Sequence, residues 1–301
     1  MGMILIHQKV NNMTKMIPLA IVYDFDGTLA PGNMQERDFI PAIGMTTSQF
    51  WEQVSAESKK HQADNILVYM KLMLDKANSE KVQVREKDFK NYGKNLSLFD
   101  GVLPYHTNDQ SEKGWFDRIN IYGKESGIKI EHFIVSSGVR EMIQGTPIGK
   151  KFSAIYASSF FYDHHGIAKW PALAINYTTK TQYLFRINKG CLDVSDNTEI
   201  NRYVPDSERK VPFSNMIYIG DGETDIPCFR LVNDRGGYSV AVYKPKKKGA
   251  RNKLCKLAEG GRIDFLAPAD YCNNSKLDKI IKSIIDKVQT DNYLNEFRGR
   301  E

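Results

Sequence analysis

The chain has 301 residues, 41% hydrophobic and 26% charged, with 15 Phe and 15 Tyr, a balance that excludes a disordered chain and leaves room for one large domain or a core with an accessory unit. A net charge of +6, from 42 Lys and Arg against 36 Asp and Glu, suits anionic substrates but does not call for a nucleic-acid partner. The cysteines Cys191, Cys228, Cys255 and Cys272 form no Cys-x-x-Cys pair, which argues against zinc and for thiols in a reducing compartment.

The apolar stretch within residues 1–7 is too short for a secretory signal, and no later run reaches the roughly 20 residues of a membrane helix, so a cytoplasmic protein is expected. Residues 17–23 read as the first buried strand. Residues 33–98 carry no strand pattern; segments 48–60, 65–76 and 85–95 place apolar side chains at helical spacing, as in Ile66, Met70, Met73 and Leu74. A helix over 113–126 leads to strands at 132–135 and 153–157, and residues 158–179, with the turn-like Asp163-His-His-Gly166, predict a β-hairpin or flap. Beyond it follow a helix at 180–188, strands at 216–219, 238–243 and 263–266, a helix at 224–233 between the first two, and a final helix at 277–289. This alternation predicts an α/β fold, a Rossmann-like parallel sheet whose chemistry gathers beyond the carboxyl ends of its strands. The expected division is a core of 17–32 and 99–290, a helical cap of 33–98, and terminal extensions 1–16 and 291–301. The basic run at 244–253 reads as a solvated loop.

Asp24-Phe-Asp-Gly-Thr28 ends the first strand. Carboxylates at i and i+2 of an extended segment project to one side, and Gly27 permits a sharp turn behind them. One acid can attack phosphorus while the other protonates the leaving oxygen, although a strand end followed by a plain Asp-Gly turn fits the same letters. Ile217-Tyr-Ile-Gly-Asp-Gly-Glu-Thr-Asp225 repeats the theme near the other end of the chain, with Asp221 and Asp225 entering a helix. Hard oxygen ligands of this kind suit Mg²⁺, whose charge offsets the repulsion between a carboxylate and a phosphate dianion. Helix capping or pairing with a lysine is the alternative for Asp225.

These two motifs resemble those of the haloacid dehalogenase (HAD) superfamily, Asp24, Asp26 and Thr28 matching Asp-x-Asp-x-Thr and Gly220, Asp221 and Asp225 matching Gly-Asp-x-x-x-Asp. The resemblance implies Asp24 as nucleophile, Asp26 as general acid and base, and Mg²⁺ held by Asp24, the Asp26 carbonyl and Asp221, with Asp225 beside them. Phe133-Ile-Val-Ser-Ser-Gly138 is similar to the family's second motif, making Ser136, or Ser137 one place on, the phosphate ligand together with Gly138. Lys180 takes the place of the family's single lysine, with Lys169 and Lys189 as rivals. The second aspartate of the pair implies phosphoryl transfer, since a departing halide needs no proton. The stretch from Tyr156 to Lys180 looks most like the phosphoserine phosphatase and pyrimidine 5′-nucleotidase branches.

The implied activity is Mg²⁺-dependent hydrolysis of a small-molecule phosphate ester through an aspartyl phosphate, with Thr28, Ser136 and Lys180 holding the transferring group. A phosphomutase uses the same pair of acids, and a catalytically silent binding module keeps the same fold. Within the cap, Glu36, Arg37 and Trp51 are candidates to meet the leaving group, against plainer roles in surface charge and cap core. His164 and His165 are expected on opposite faces of an extended segment, which makes them hairpin residues and not a metal pair.

Overall fold

The computed structural model describes residues 16–82, 84–107, 110–245 and 249–297. In chain order its strands are β1 (Ile17–Tyr23), β2 (Tyr105–Thr107), β3 (Gln110–Glu112), β4 (Ile128–Val139), β5 (Ala154–Tyr162), β6 (Ala168–Leu173), β7 (Met216–Gly220), β8 (Tyr238–Tyr243) and β9 (Phe265–Pro268). Its α-helices are α1 (Phe39–Ala42), α2 (Thr47–His61), α3 (Asn65–Ser79), α4 (Glu86–Lys94), α5 (Trp115–Glu125), α6 (Arg140–Gly145), α7 (Lys180–Lys189), α8 (Asn197–Asn201), α9 (Ile226–Asp234), α10 (Ala250–Glu259) and α11 (Lys276–Phe297).

Seven strands form one sheet in the order β6-β5-β4-β1-β7-β8-β9, parallel throughout except for the β5–β6 pair, while β2 and β3 make a separate two-stranded hairpin. Strands buried on both faces read as unbroken apolar runs because alternate residues feed different cores. In β1, Leu19, Ile21 and Tyr23 join the cluster that takes in α1–α5 and α11, whereas Ala20 and Val22 join the one containing Tyr183, Leu184 and Phe229 of α7 and α9. The expected α/β class is the observed one.

The helices α1–α4 follow β1, as the strandless stretch predicts. A reciprocal pair of hydrogen bonds between Thr46 and Gln49 starts α2, and the Asp64 carboxylate accepts the Ile66 and Leu67 amides at the start of α3. Phe39, Phe50, Met70, Met73 and Phe89 from this insert share one apolar cluster with the sheet, and Phe89 stacks on Phe160 of β5 with ring centroids 5.1 Å apart. Close docking of α4 on α6 requires Gly93: a Cβ there would lie 1.9 Å from the Met142 carbonyl oxygen.

Several boundaries differ from the sequence reading. The strand expected at 132–135 runs to Val139, its register with β5 slipping between Ser136 and Val139, because the Ser-Ser-Gly segment forms an irregularity inside the strand before α6. The strand expected at 153–157 continues to Tyr162 and is itself the first arm of the hairpin with β6. The last strand starts two residues later than expected, at Phe265, and the final helix runs past 289 to Phe297, since residues 276–297 include no Gly or Pro. Within the basic run, Ala250 begins α10 in place of the expected loop, and Lys246, Lys247 and Lys248 lie outside the described residues, as does 1–15 of the expected N-terminal extension. Among the described residues no helix is long and apolar enough to cross a membrane.

Candidate active site

Parallel pairing of β1 with β7 sets Tyr23 beside Ile219, and the Asp24 amide donates to the Ile219 carbonyl at 2.9 Å. The acids that follow each strand therefore emerge side by side at the carboxyl edge. Carboxylate oxygens of Asp24, Asp221 and Asp225 lie within 4.8 Å of one another. Gly27 makes this possible: it turns with φ +74°, and a Cβ at that position would sit 2.0 Å from an Asp221 carboxylate oxygen.

Asp24 accepts the Phe25 amide at 2.7 Å, and its second oxygen lies 3.0 Å from the Lys180 ammonium. Burial raises its carboxyl above the ordinary value, with Lys180 pulling the other way and Asp225 adding to the rise. Asp26 accepts the Met34 amide at 3.0 Å. Burial, then the neighbouring charge of Asp24, pushes the Asp26 carboxyl well above its ordinary value. Asp221 is pushed up to about 8, first by burial and then by Asp225 and Asp24.

Asp225 is fully buried and its two oxygens carry four hydrogen bonds. One accepts from Lys180 and from the Tyr218 hydroxyl, each at 2.7 Å; the other accepts the Asp221 and Gly222 amides at 3.1 and 3.4 Å. This carboxylate braces the Asp221 turn and Lys180, the lysine pairing that the sequence leaves open. Burial opposes the Lys180 ammonium, but Asp225 and Asp24 outweigh it and hold the group above the ordinary lysine value. The rival lysines lie elsewhere: Lys189 donates to the Ile200 and Arg202 carbonyls, and Lys169 pairs with Asp163.

A crevice of about 930 Å³ opens over the acids and is lined by Asp24, Asp26, Ser136, Ser137, Gly138 and Asp221 among others. The Ser136 hydroxyl accepts the Gly138 amide at 3.1 Å, whereas the Ser137 hydroxyl is buried without a partner among the described residues. The Ser137 carbonyl accepts from Tyr69 of α3 at 2.6 Å and from Ser158 at 3.2 Å, tying the insert to this segment of β4. A second tie runs from Asn176 to the Asp64 carboxylate at 2.8 Å.

Thr28 is not brought into the crevice lining. Its side chain is fully buried, its hydroxyl has no partner among the described residues, and its carbonyl accepts from Tyr271 at 2.8 Å. Of the three insert candidates, Trp51 lines the crevice and donates its indole N–H to Glu36 at 2.8 Å, while Arg37 turns away to Ser97. His164 and His165 occupy the tight hairpin turn closed by Gly166 N–H to the Asp163 carbonyl; their rings stand 3.9 Å apart, not on opposite faces, because the chain there is turned and not extended. Tyr69, Gln35 and Tyr177 also line the crevice and escape the sequence reading. The i, i+3 pairing of Ile66 with Tyr69 is the one local signal that places an aromatic residue on that face.

The chain is 30% identical over 293 residues to an uncharacterized protein of Borreliella burgdorferi, covering 86% of this chain and 93% of that protein. A HAD family hydrolase from Salmonella enterica serovar Typhi superposes with a TM-score of 0.54 at 14% identity, over 90% of this chain and 73% of the other. A probable phosphoserine phosphatase from Vibrio cholerae gives a TM-score of 0.53 at 12% identity, over 91% and 67%. At these identities the two structures share the fold. Residues 21–230 match the family model for haloacid dehalogenase-like hydrolases, and the chain belongs to that family.

Proposed function

We propose that this hydrolase is a magnesium-dependent phosphatase acting on a small-molecule phosphomonoester through an aspartyl-phosphate intermediate. The observation that carries the reading is the convergence of Asp24 and Asp221, nearly two hundred residues apart, with carboxylate oxygens within 4.8 Å of each other and Asp26 at their side.

The crowding of acids fits a cation. Lys180 pairs with two of the four carboxyl groups, Asp24 and Asp225, and burial first, then the charges of Asp225 and Asp24, lifts Asp221 to about 8, a cost that a divalent ion would offset. Asp24, Asp221 and the Asp26 carbonyl would hold Mg²⁺, whose charge lets a carboxylate approach a phosphate dianion. The saturated hydrogen bonding of Asp225 supports a positioning role for it.

In this scheme an oxygen of Asp24 attacks phosphorus, and Asp26 gives its proton to the departing alkoxide as the ester P–O bond breaks. The upward displacement of the Asp26 carboxyl supports that role, because an acid must hold its proton near neutral pH to deliver it. Once ionised, Asp26 takes a proton from water, which attacks the aspartyl phosphate, releases inorganic phosphate and restores Asp24. Lys180 orients Asp24, and Ser136, Ser137 and Gly138 cradle the transferring group. The insert at 33–98 acts as the cap and the β5–β6 hairpin as a flap beside it.

The test is release of phosphate from p-nitrophenyl phosphate with and without Mg²⁺. Activity should require the metal and vanish in Asp24→Asn; turnover retained by Asp24→Asn removes the nucleophile and with it this mechanism.

A further inference from the structure

We propose that the fold carries a second ligand site, separate from the acid crevice, for a small organic anion: a carboxylate or phosphate group borne on an apolar body. A cavity of about 510 Å³ lies between the β5–β6 hairpin and helices α7 and α8, within the range of roughly 300–1,000 Å³ usual for small-molecule sites. It shares no lining residue with the acid crevice, and its walls hold two arginines, Arg140 and Arg186, and no acid.

Arg186 of α7 is only 3% exposed. Its terminal nitrogens donate to the main-chain carbonyls of Asp193, Asp196 and Val194 at 2.6, 3.1 and 3.2 Å, and its Nε–H has no partner among the described residues. The Asp193 carboxylate is exposed and accepts from Ser195 instead. Carbonyl oxygens bring only partial charge, so this buried guanidinium keeps a positive charge that an anion in the cavity would balance. Arg140, the first residue of α6, adds a second cation. Its side chain is 32% exposed and meets the Glu141 carboxylate only loosely, at 3.5 Å, which leaves donors of its planar fork for a ligand.

The remaining walls indicate what the anion is attached to. Phe160 is buried, but its neighbour Phe161 is 63% exposed and borders the same cavity, as does the half-buried Leu173 across the hairpin. Gln182 and Asn197, both exposed, add neutral hydrogen-bonding groups at the helical side. A bare inorganic ion would leave the aromatic and aliphatic surface wet, whereas a ring or short aliphatic chain behind the charged group would cover it. Two guanidiniums for the charge and an apolar wall for the body together set the chemical class.

The experiment titrates the full chain, in metal-free buffer, with benzoate and phenylphosphonate, and with acetate and inorganic phosphate as the same charged groups without the ring. At least one ring-bearing probe should bind about tenfold or more tightly than its ringless counterpart, the factor expected for burying a ring. Preference for benzoate assigns the site to carboxylates, and preference for phenylphosphonate assigns it to phosphate esters. Arg186→Met would strand three carbonyls and test folding more than binding, so two exposed positions carry the test. Arg140→Gln should weaken the bound probe about tenfold or more, as loss of a charged hydrogen bond does, and Ala172→Trp, at an exposed position of the cavity wall, should block it. Equal affinity with and without the ring overturns the organic body. Binding unchanged in both variants puts the probe elsewhere and overturns the site, as does the absence of binding by every probe at millimolar concentration.

Discussion

Lys180 and Asp225 form a hydrogen-bonded ion pair at 2.7 Å in which neither side chain has any exposure to solvent. Such a pair costs desolvation on both sides, so its removal by halves is worse than its presence. Lys180→Met would leave Asp24 and Asp225 facing each other without their cation. The expected loss is about 3–5 kcal/mol of stability, read from urea midpoints in metal-free buffer. The double variant Lys180→Met, Asp225→Asn should lose less than the two single variants combined, because each removes the other's unpaired charge. Simple additivity would show that the pair is not coupled.

In the proposed metal site, Asp221 predicts a pH dependence for Mg²⁺ binding. Its folded-state value, about 8 against an ordinary 3.8, is raised, so its contribution to the stability of the metal-free chain is fully present below about pH 4 and is lost as pH rises through 8. A cation binds the ionised form and competes with that proton. The affinity for Mg²⁺ should therefore climb between about pH 5 and 8 and level off above, and thermal stabilisation by Mg²⁺ should grow over the same interval. Calorimetry in buffers of different ionisation enthalpy reads the released proton directly; a pH-independent affinity with no proton release would remove Asp221 from the metal site.

The sequence exposes the fold and the acid centre because both are written locally. Asp24 and Asp221 each follow an apolar strand by a single residue, and parallel pairing of those strands then fixes their convergence. What escaped was tertiary or locally ambiguous. Ser-Ser-Gly reads as a turn, yet it lies within β4 because β5 pairs on either side of the slip. Basic residues at 244–253 obscured α10, whose Leu254 is nevertheless buried. Tyr177 reaches the crevice from the connection between β6 and α7, and Arg37 leaves it for Ser97, by contacts that no spacing encodes.

His132 of β4 is buried beside β1, and its tautomer follows from its neighbours. Trp115 Nε1 can only donate, and does so to the Tyr23 hydroxyl at 2.9 Å; that hydroxyl then donates to His132 Nδ1 at 3.0 Å, leaving Nε2–H to donate to Asn120 at 3.1 Å. The ring is neutral, and burial lowers its pKa to about 3. With the folded value depressed from 6.5, the stability it contributes is present above about pH 6.5 and is lost as pH falls toward 3, at up to about 1.4 kcal/mol per pH unit. His132→Gln should be less stable at pH 7 but lose less between pH 6.5 and 4. Parallel acid profiles for the variant and the parent protein, from urea midpoints, would assign the acid sensitivity to other groups.

Tyr69 joins the insert to the Ser136–Gly138 segment of β4, which lines the crevice. Tyr69→Phe keeps the ring contact with Trp51 but removes the hydroxyl that donates to the Ser137 carbonyl at 2.6 Å, leaving that carbonyl only Ser158 at 3.2 Å. The loss in stability should be about 1 kcal/mol, typical of one buried hydrogen bond. With the Ser136–Gly138 segment holding the transferring phosphoryl group as proposed, its looser placement should lower kcat more than it raises KM, because alignment matters most in the transition state. Steady-state kinetics on p-nitrophenyl phosphate separate the two. A variant destabilised by this amount with unchanged kcat would mean that the bond anchors the insert without positioning the Ser136–Gly138 segment for chemistry.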